Sequence, residues 1–262
     1  MRALYTAATG MAAQELNVQV ISNNIANMRT TGFKKQTAQF QDLIYDHVRR
    51  VGAQASDQGT ILPVGVDVGG GVKTVGTPRM MTQGTLTTTG NDLDLAVRGE
   101  GFFKIQMPDG TFSYTRDGSF TMDNTGRVVT AGGNPLQPTI TVPNGATSVT
   151  VATNGQVSVT LSGQTTPTVI GQIGLTTFIN KAGLQPQGDN LFIETQASGP
   201  PQDGTATTNG LGDIMQKTLE QANVEVVNEI SDLIAAQRAY EMNAKVVSAA
   251  DQMLQTTSQM SR

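Results

Sequence analysis

A heptad pattern at each end of the chain constrains its fold more than anything between them. Leu4, Met11, Val18 and Ile25 recur every seven residues, and Ala7, Gln14, Ile21 and Met28 fill the companion slot, so seven of the eight seam positions are apolar. The other end carries a longer version. Val226, Ile230, Leu233, Tyr240, Ala244, Val247 and Leu254 fall at alternating spacings of three and four, interrupted only at Gln237 and Asp251. A second stripe of Val227, Ile234, Val246 and Met253 makes this apolar face wider than a two-stranded seam needs, so the helix calls for several neighbours. Helices at opposite ends can wrap each other only if the chain between them returns to its start. The expected fold is α+β: paired long terminal helices in a coiled-coil-like stalk, with an inserted, mostly antiparallel all-β body.

Composition supports that body. Gly supplies 29 of 262 residues, Trp and Cys are absent and aromatics are 5%, which favours strands and turns over a large enzyme pocket. Without Cys there is no thiol catalysis, Cys-based zinc site or disulfide. A net charge of -4 leaves no nucleic-acid footprint. No stretch reaches the roughly 20 apolar residues of a membrane span, so membrane insertion is not expected. The start resembles a leader in having Arg2 before small apolar residues, but Thr6, Thr9 and Gly10 break it up and the heptads run on to Met28, so no cleaved signal peptide is expected.

Along the chain, residues 1–35 and 213–262 are expected to form the helical part, with a helix stop at Thr31-Gly32. Residues 36–71 read as a connecting region. In it, Phe40, Leu43, Ile44 and Val48 at helical spacing suggest a stretch extended first and helical later, followed by a long polar loop or hairpin. Residues 72–196 read as short strands, including 93–97, 102–107, 127–130, 139–142, 149–153, 156–161 and 172–178, bounded by Asp109-Gly110, Asp117-Gly118, Thr125-Gly126, Asn144-Gly145 and Asn154-Gly155. Residues 197–212 read as a polar linker back to the C-terminal helix. Residues 1–35 hold Arg2, Arg29, Lys34 and Lys35 against Glu15 alone, whereas Glu220, Glu225, Glu229 and Asp232 crowd the start of that helix. The two groups would meet in an antiparallel pair, at no more than about 1 kcal/mol per surface pair, although the helix dipole also favours the acids locally.

Motifs for chemistry are weak. His47 is the only histidine and has only Asp42 and Asp46 nearby, too few ligands for a metal site. A Ser-His-Asp triad would depend on that same histidine, and no Gly-x-Ser-x-Gly elbow exists to present a nucleophile. Gly99-Glu-Gly-Phe-Phe precedes a strand and does not form a phosphate cradle. Asp92, Asp94 and Glu100 could suggest calcium, but their surroundings read as a solvated hairpin. Neither an enzyme nor a cofactor is expected.

Two terminal motifs, Asn23-Asn-Ile-Ala-Asn-Met-Arg-Thr-Thr-Gly-Phe-Lys34 and Ala236-Gln-Arg-Ala-Tyr-Glu-Met-Asn-Ala-Lys245, resemble the terminal signatures of the bacterial flagellar axial proteins, the rod and hook family. The resemblance covers essentially the whole chain. Gly52-Ala-Gln-Ala-Ser-Asp-Gln-Gly-Thr, Asp94-Leu-Ala-Val-Arg-Gly-Glu-Gly-Phe-Phe103 and Tyr114-Thr-Arg-Asp-Gly-Ser-Phe120 look like the distal-rod branch of that family. It implies a structural subunit that assembles helically with its own copies into a stiff hollow tube, acting as a drive shaft, with the terminal helices inside and the β body outside. The implied partners are proximal rod proteins, the hook protein, the surrounding P- and L-ring proteins, the rod cap and the flagellar type III export apparatus. The implied location is the basal body, with the rod spanning the periplasm towards the outer membrane.

Under this resemblance the assembly residues are Leu4, Met11, Val18, Asn23, Asn24, Ile25, Asn27, Gly32 and Phe33 at one end. At the other they are Ile230, Leu233, Gln237, Arg238, Tyr240, Val247 and Leu254. The stretch 46–64, with Asp46, His47, Gly52, Gln54, Ser56, Gln58, Leu62 and Pro63, is the one associated in this family with a straight rod as opposed to a bendable hook. Other readings remain open: a proximal rod or hook protein, or a secreted β-rich adhesin on a coiled-coil stalk.

Overall fold

A computed structural model describes residues 2–49, 64–164 and 166–260. Two long helices stand at the ends, α1 over Arg2–Ala26 and α2 over Val226–Met260, and among the described residues the strands between them pair antiparallel. The architecture is α+β, as the heptads and strand runs predict. No described helix is long and apolar enough to cross a membrane.

The chain divides into two compact units. The first comprises residues 1–25, 36–78 and 225–262. Two contacts between its helices fix their relative direction. A Cβ on Gly10 of α1 would lie 2.9 Å from Asn243 Nδ2 of α2, and Asn24 Nδ2 of α1 donates to Glu229 Oε2 of α2 at 3.1 Å. These contacts are 14 residues apart on each helix and run in opposite directions, so the helices are antiparallel. What α2 buries differs from the expected seam. Glu229, Ala236 and Ala250 are buried, in one series of sevens with Asn243, while Ile230, Tyr240 and Leu254 remain 43–45% exposed. The physical reason is close approach: at Gly10 a Cβ would already lie 2.9 Å from Asn243 Nδ2, which leaves room only for small or slender side chains on the inward face of α2, so the bulky residues turn aside.

The described residues of the connecting region in this unit are extended, as expected for its first part, and none is helical. Gln39–Asp42 pairs with Val72–Gly76, and Tyr45–Arg49 pairs with Val66–Gly69. The helical spacing of Phe40, Leu43, Ile44 and Val48 was misleading, because a helix needs a surface to bury its stripe against, and Ile44 and Val48 are 90% and 62% exposed. Partner strands rich in Val supply backbone hydrogen bonds instead.

The second unit comprises residues 26–35 and 79–224. Its largest sheet has five strands in the order Leu136–Gln137, Phe103–Gln106, Phe112–Thr115, Leu191–Ile193 and Gln185–Gly188. A three-stranded sheet joins Ala146–Val151, Gln156–Leu161 and Thr168–Gln172. Ile105, Leu136, Val159, Leu175 and Ile214 anchor the main core. Four of the twelve aromatics, Phe102, Tyr114, Phe178 and Phe192, pack edge to face in a second cluster with Leu184. Asp109-Gly110, Thr125-Gly126 and Asn154-Gly155 close hairpins as their turn chemistry predicts. Asp117-Gly118 and Asn144-Gly145 instead lie between strands that pair elsewhere, and residues 139–142 contribute only a single bridge, Thr141 with Arg127. Within the stretch read as linker, Gln202–Thr205 pairs with Gly174–Thr177. Beyond it, Asp213–Gln216 and Thr218–Glu220 pair with Leu95–Arg98 and Leu86–Thr88.

Candidate functional site

The helices of the first unit carry most of the residues expected to mediate assembly. Leu4, Met11, Val18 and Ile25 on α1 are half-buried, as are Leu233 and Val247 on α2, while Asn23, Ile230, Gln237, Arg238, Tyr240 and Leu254 are exposed. Val227 of the second stripe is 72% exposed, and Ile234, Val246 and Met253 are exposed with it. Asn24 has a different task. Its side chain exchanges two 2.9 Å hydrogen bonds with the backbone of Gln36 and donates to Glu229, so it ties α1 to the segment that follows and to α2. Asp46 pairs with Arg2, and His47 Nδ1 lies 2.6 Å from Asp67 Oδ1 across the Tyr45–Arg49 and Val66–Gly69 strands. Gly52, Gln54, Ser56, Gln58, Leu62 and Pro63 lie outside the described residues.

The second unit contains Asn27, Gly32 and Phe33, and around the latter two a buried ionic junction that sequence reasoning did not find. Gly32 adopts φ +69°, and a Cβ there would lie 2.7 Å from Asp117 N, so only glycine lets this segment press against the Arg116–Asp117 backbone. Lys34 is thereby carried inward. Its Nζ donates to Glu220 Oε1 at 2.5 Å and to Thr82 O at 2.8 Å, with both charged side chains fully buried. Glu220 Oε1 also accepts from Gly84 N at 2.8 Å, and its Oε2 is 3.5 Å from Arg116 Nη1. Arg116 donates to Val97 O and Gly99 O and lies 5.2 Å over the Phe102 ring. Arg79 sits between the Phe33 and Phe192 rings and donates to Lys34 O at 3.2 Å. Asn223 completes the tie, accepting from Lys35 N at 2.7 Å and donating to Met80 O at 2.8 Å. Three separate stretches, 32–35, 79–84 and 220–223, are thus cross-linked by side chains.

Two cations share one carboxylate here, and burial disfavours charge. Desolvation lowers the pKa of Lys34 and of Arg116 below their ordinary values, with the attraction of Glu220 opposing it in both cases. Of the bases and acids expected to meet along an antiparallel helix pair, Lys34 and Glu220 do meet, but off both helices and in the interior, where losing one partner costs far more than at a surface. The local signal was a glycine two residues from each cation in the quoted motifs, Gly32-Phe33-Lys34 and Arg116-Asp117-Gly118, and it does not tell Lys34 from Lys35.

The carboxylates considered for calcium turn to separate partners: Asp92 to Lys217, Asp94 to Thr89 and Asn91, and Glu100 to Lys181. Among the described residues no group of three or more His, Asp and Glu converges. The arrangement offers outward apolar helix faces and a clamped junction, features of an assembling structural protein.

Comparison with known proteins agrees with this picture. Residues 4–34 match the family described as flagella basal body rod protein, residues 96–159 the flagellar hook protein FlgE/F/G D1 domain, and residues 215–260 the flagellar basal body rod FlgEFG protein C-terminal family. The chain is 53% identical to the flagellar basal-body rod protein FlgG of Caulobacter vibrioides, over 99% of each chain. It is 35% identical to FlgG of Bacillus subtilis over 97% of each, and 34% identical to the rod protein FlgF of Caulobacter vibrioides, over 99% of this chain and 95% of that one. The chain therefore belongs to the FlgG family of flagellar basal-body rod proteins.

Proposed function

We propose that this chain is the repeating structural subunit of the distal rod, polymerising helically into a stiff hollow shaft that carries motor torque to the hook. The observation that carries this reading is the full-length likeness to FlgG together with the helix faces left open in the single chain. Ile230, Ile234, Tyr240, Val246 and Leu254 each keep more than two fifths of their surface in water, and covering the remainder contributes roughly 1 kcal/mol apiece. The helix register adds to it. Continued from the Gly10 and Asn24 contacts, it sets Arg2 level with Asp251, so that residues 252–260 run past the start of α1. In this reading α1 and α2 form an antiparallel coiled coil with a small-residue seam, and neighbouring copies cover Leu4, Met11, Val18, Ile25, Ile230, Leu233, Tyr240, Val247 and Leu254.

In the same reading the chain passes unfolded through the type III export apparatus and assembles under the rod cap in the periplasm. It joins proximal rod proteins below and the hook protein above, and turns within the P- and L-rings. The test is electron microscopy of the purified chain with basal-body seeds. Wild type is expected to give straight tubes, and Ile230→Asp with Ile234→Asp none, while the circular dichroism and urea melt of the β body stay unchanged. Tubes from the double variant, or a wild type that stays monodisperse with both helices fully formed, would overturn the reading.

Stiffness is assigned to the stretch 46–64, which in this reading reaches a neighbouring copy and fills the gap that bending would use. The described part agrees in kind, since the strands Tyr45–Arg49 and Val66–Gly69 expose Tyr45, Val48, Val66 and Val68. A two-stranded ribbon with this much apolar surface in water gains by being covered. Deleting residues 46–64 is expected to give tubes that assemble but curve, measured as a shortened persistence length in electron micrographs. Straight tubes from the deletion would remove this role.

A further inference from the structure

Three Asn-Gly pairs occur in the chain, at 144–145, 154–155 and 209–210. All three share the sequence hazard of this dipeptide, because glycine offers no side chain to block attack by its own backbone nitrogen on the neighbouring carboxamide. The fold treats them differently. At 154–155 both reacting groups are held: Gly155 N donates to Ala152 O at 2.8 Å, and Asn154 Oδ1 accepts from Gln156 N at 3.0 Å. Gly155 is also enclosed, its Cβ site lying 2.5 Å from Ile173 O. At 209–210 both residues are left-handed, with φ 52° and 78°, in a turn closed by Leu211 N to Thr208 O at 2.9 Å, so the chain must open that turn to bring Gly210 N to the Asn209 carboxamide.

Residues 144–145 lack the bonds and enclosure found at 154–155, and of the two only Gly145, at φ 93°, is left-handed, so Asn144 is not held in the conformation that restrains Asn209. Both are exposed, and no atom lies within 4 Å of the Gly145 Cβ site. The turn closes in the same register as that at 209–210, by Ala146 N to Pro143 O, but at a longer 3.3 Å against 2.9 Å, and unlike the turn at 154–155 it leaves the glycine amide outside the closing bond. Among the described residues no hydrogen bond holds the Asn144 carboxamide.

We propose that Asn144 is a site of self-catalysed deamidation, a modification set by the fold and needing no enzyme. Gly145 N, its proton lost to water, attacks Asn144 Cγ; the N–Cγ bond forms, the Cγ–Nδ2 bond breaks and ammonia leaves with a proton from solvent. Water then opens the resulting five-membered imide at either carbonyl, giving aspartate or isoaspartate. Nothing is oxidised or reduced. The position gives the change a consequence. Residues 128–180 hold no Asp, Glu, Lys or Arg, so the product is the first charge in that stretch. Isoaspartate also lengthens the main chain within a turn whose Gly145 O accepts from Ser162 N at 3.0 Å, which loosens the start of Ala146–Val151 from the end of Gln156–Leu161. The inference stands independently of the assembly reading.

The test is incubation of the purified full chain at mildly alkaline pH, with peptide mass spectrometry and labelling by an isoaspartyl methyltransferase. The 144 peptide is expected to convert at least roughly tenfold faster than the 154 peptide, whose groups must first be freed by local opening, with 209 in between. In urea the three rates should converge, and Gly145→Ala should slow conversion at 144 alone. Conversion at 154 or 209 as fast as at 144 in the folded chain would overturn the assignment. So would an order that persists unchanged in urea, because the fold would then not be its cause.

Discussion

Glu220→Gln is expected to remove about 3–5 kcal/mol from the stability of the β body, the usual cost of breaking a buried ion pair by deleting one partner. The reason is specific to the junction. Lys34 Nζ and Arg116 Nη1 lie 2.5 and 3.5 Å from the Glu220 carboxylate, with Lys34 fully and Arg116 almost fully buried, so the neutral amide leaves two cations without a countercharge. A loss of that size is a large share of the about 5–15 kcal/mol that holds a typical domain folded. The pH dependence follows from Lys34, whose pKa is already below 10.5 because burial outweighs Glu220. Without Glu220 it falls further. Between that lowered folded value and 10.5 the unfolded chain binds more protons than the folded one, so the variant regains stability as pH rises through this window. Urea unfolding of wild type and variant across pH measures both effects. A difference below about 1 kcal/mol at neutral pH, the level of a surface pair, would refute the junction as a source of stability.

Gly118→Ala should cost about 3 kcal/mol, at or beyond the upper end of ordinary overpacking. Its Cβ would lie 1.6 Å from Leu95 O and 2.7 Å from Leu95 C, both backbone atoms that cannot rotate away as a side chain would. Gly118 O in turn accepts from Leu95 N at 3.0 Å, and Leu95 opens the strand that pairs with Asp213–Gln216, just ahead of Glu220. Making room for the methyl therefore displaces a ladder, not one side chain. Gly110→Ala is the control. It has φ +84° and nothing within 4 Å of its Cβ site, so only the left-handed backbone penalty of about 1–2 kcal/mol applies. Thermal melts of the two variants side by side decide the matter, and equal losses would mean that the close approach at Gly118 carries no special weight.

Legibility differed by element. The terminal helices were readable because a heptad repeat over many turns has no alternative local explanation, and α1 and α2 appear where it predicts them. Gln156–Leu161 was readable to the residue, since alternating Val and polar side chains follow an Asn-Gly turn. In the stretch 39–49, read as extended first and helical later, the extended start holds and the helix does not, because apolar residues so spaced match a helix or a strand equally well when no partner surface is known. Most of the proposed assembly residues were legible as apolar heptad positions. The junction was not: Glu220 looked like one more acid before a helix, and nothing local distinguishes Lys34, which becomes fully buried, from Lys35, which does not.

The sequence by itself determined the two helices, the turn-rich β body and membership of the rod family, because these rest on local periodicity and on motifs contiguous in the chain. Only the tertiary structure decided which face of α2 turns inward and which charges are buried. The inward face depends on Gly10 standing opposite Asn243, and the ionic junction on Lys34 meeting a carboxylate 186 residues further along. In both cases the deciding quantity is the space left by a distant part of the chain. Burial gives a small or charged side chain its energetic weight, and burial is not a property of the residue alone.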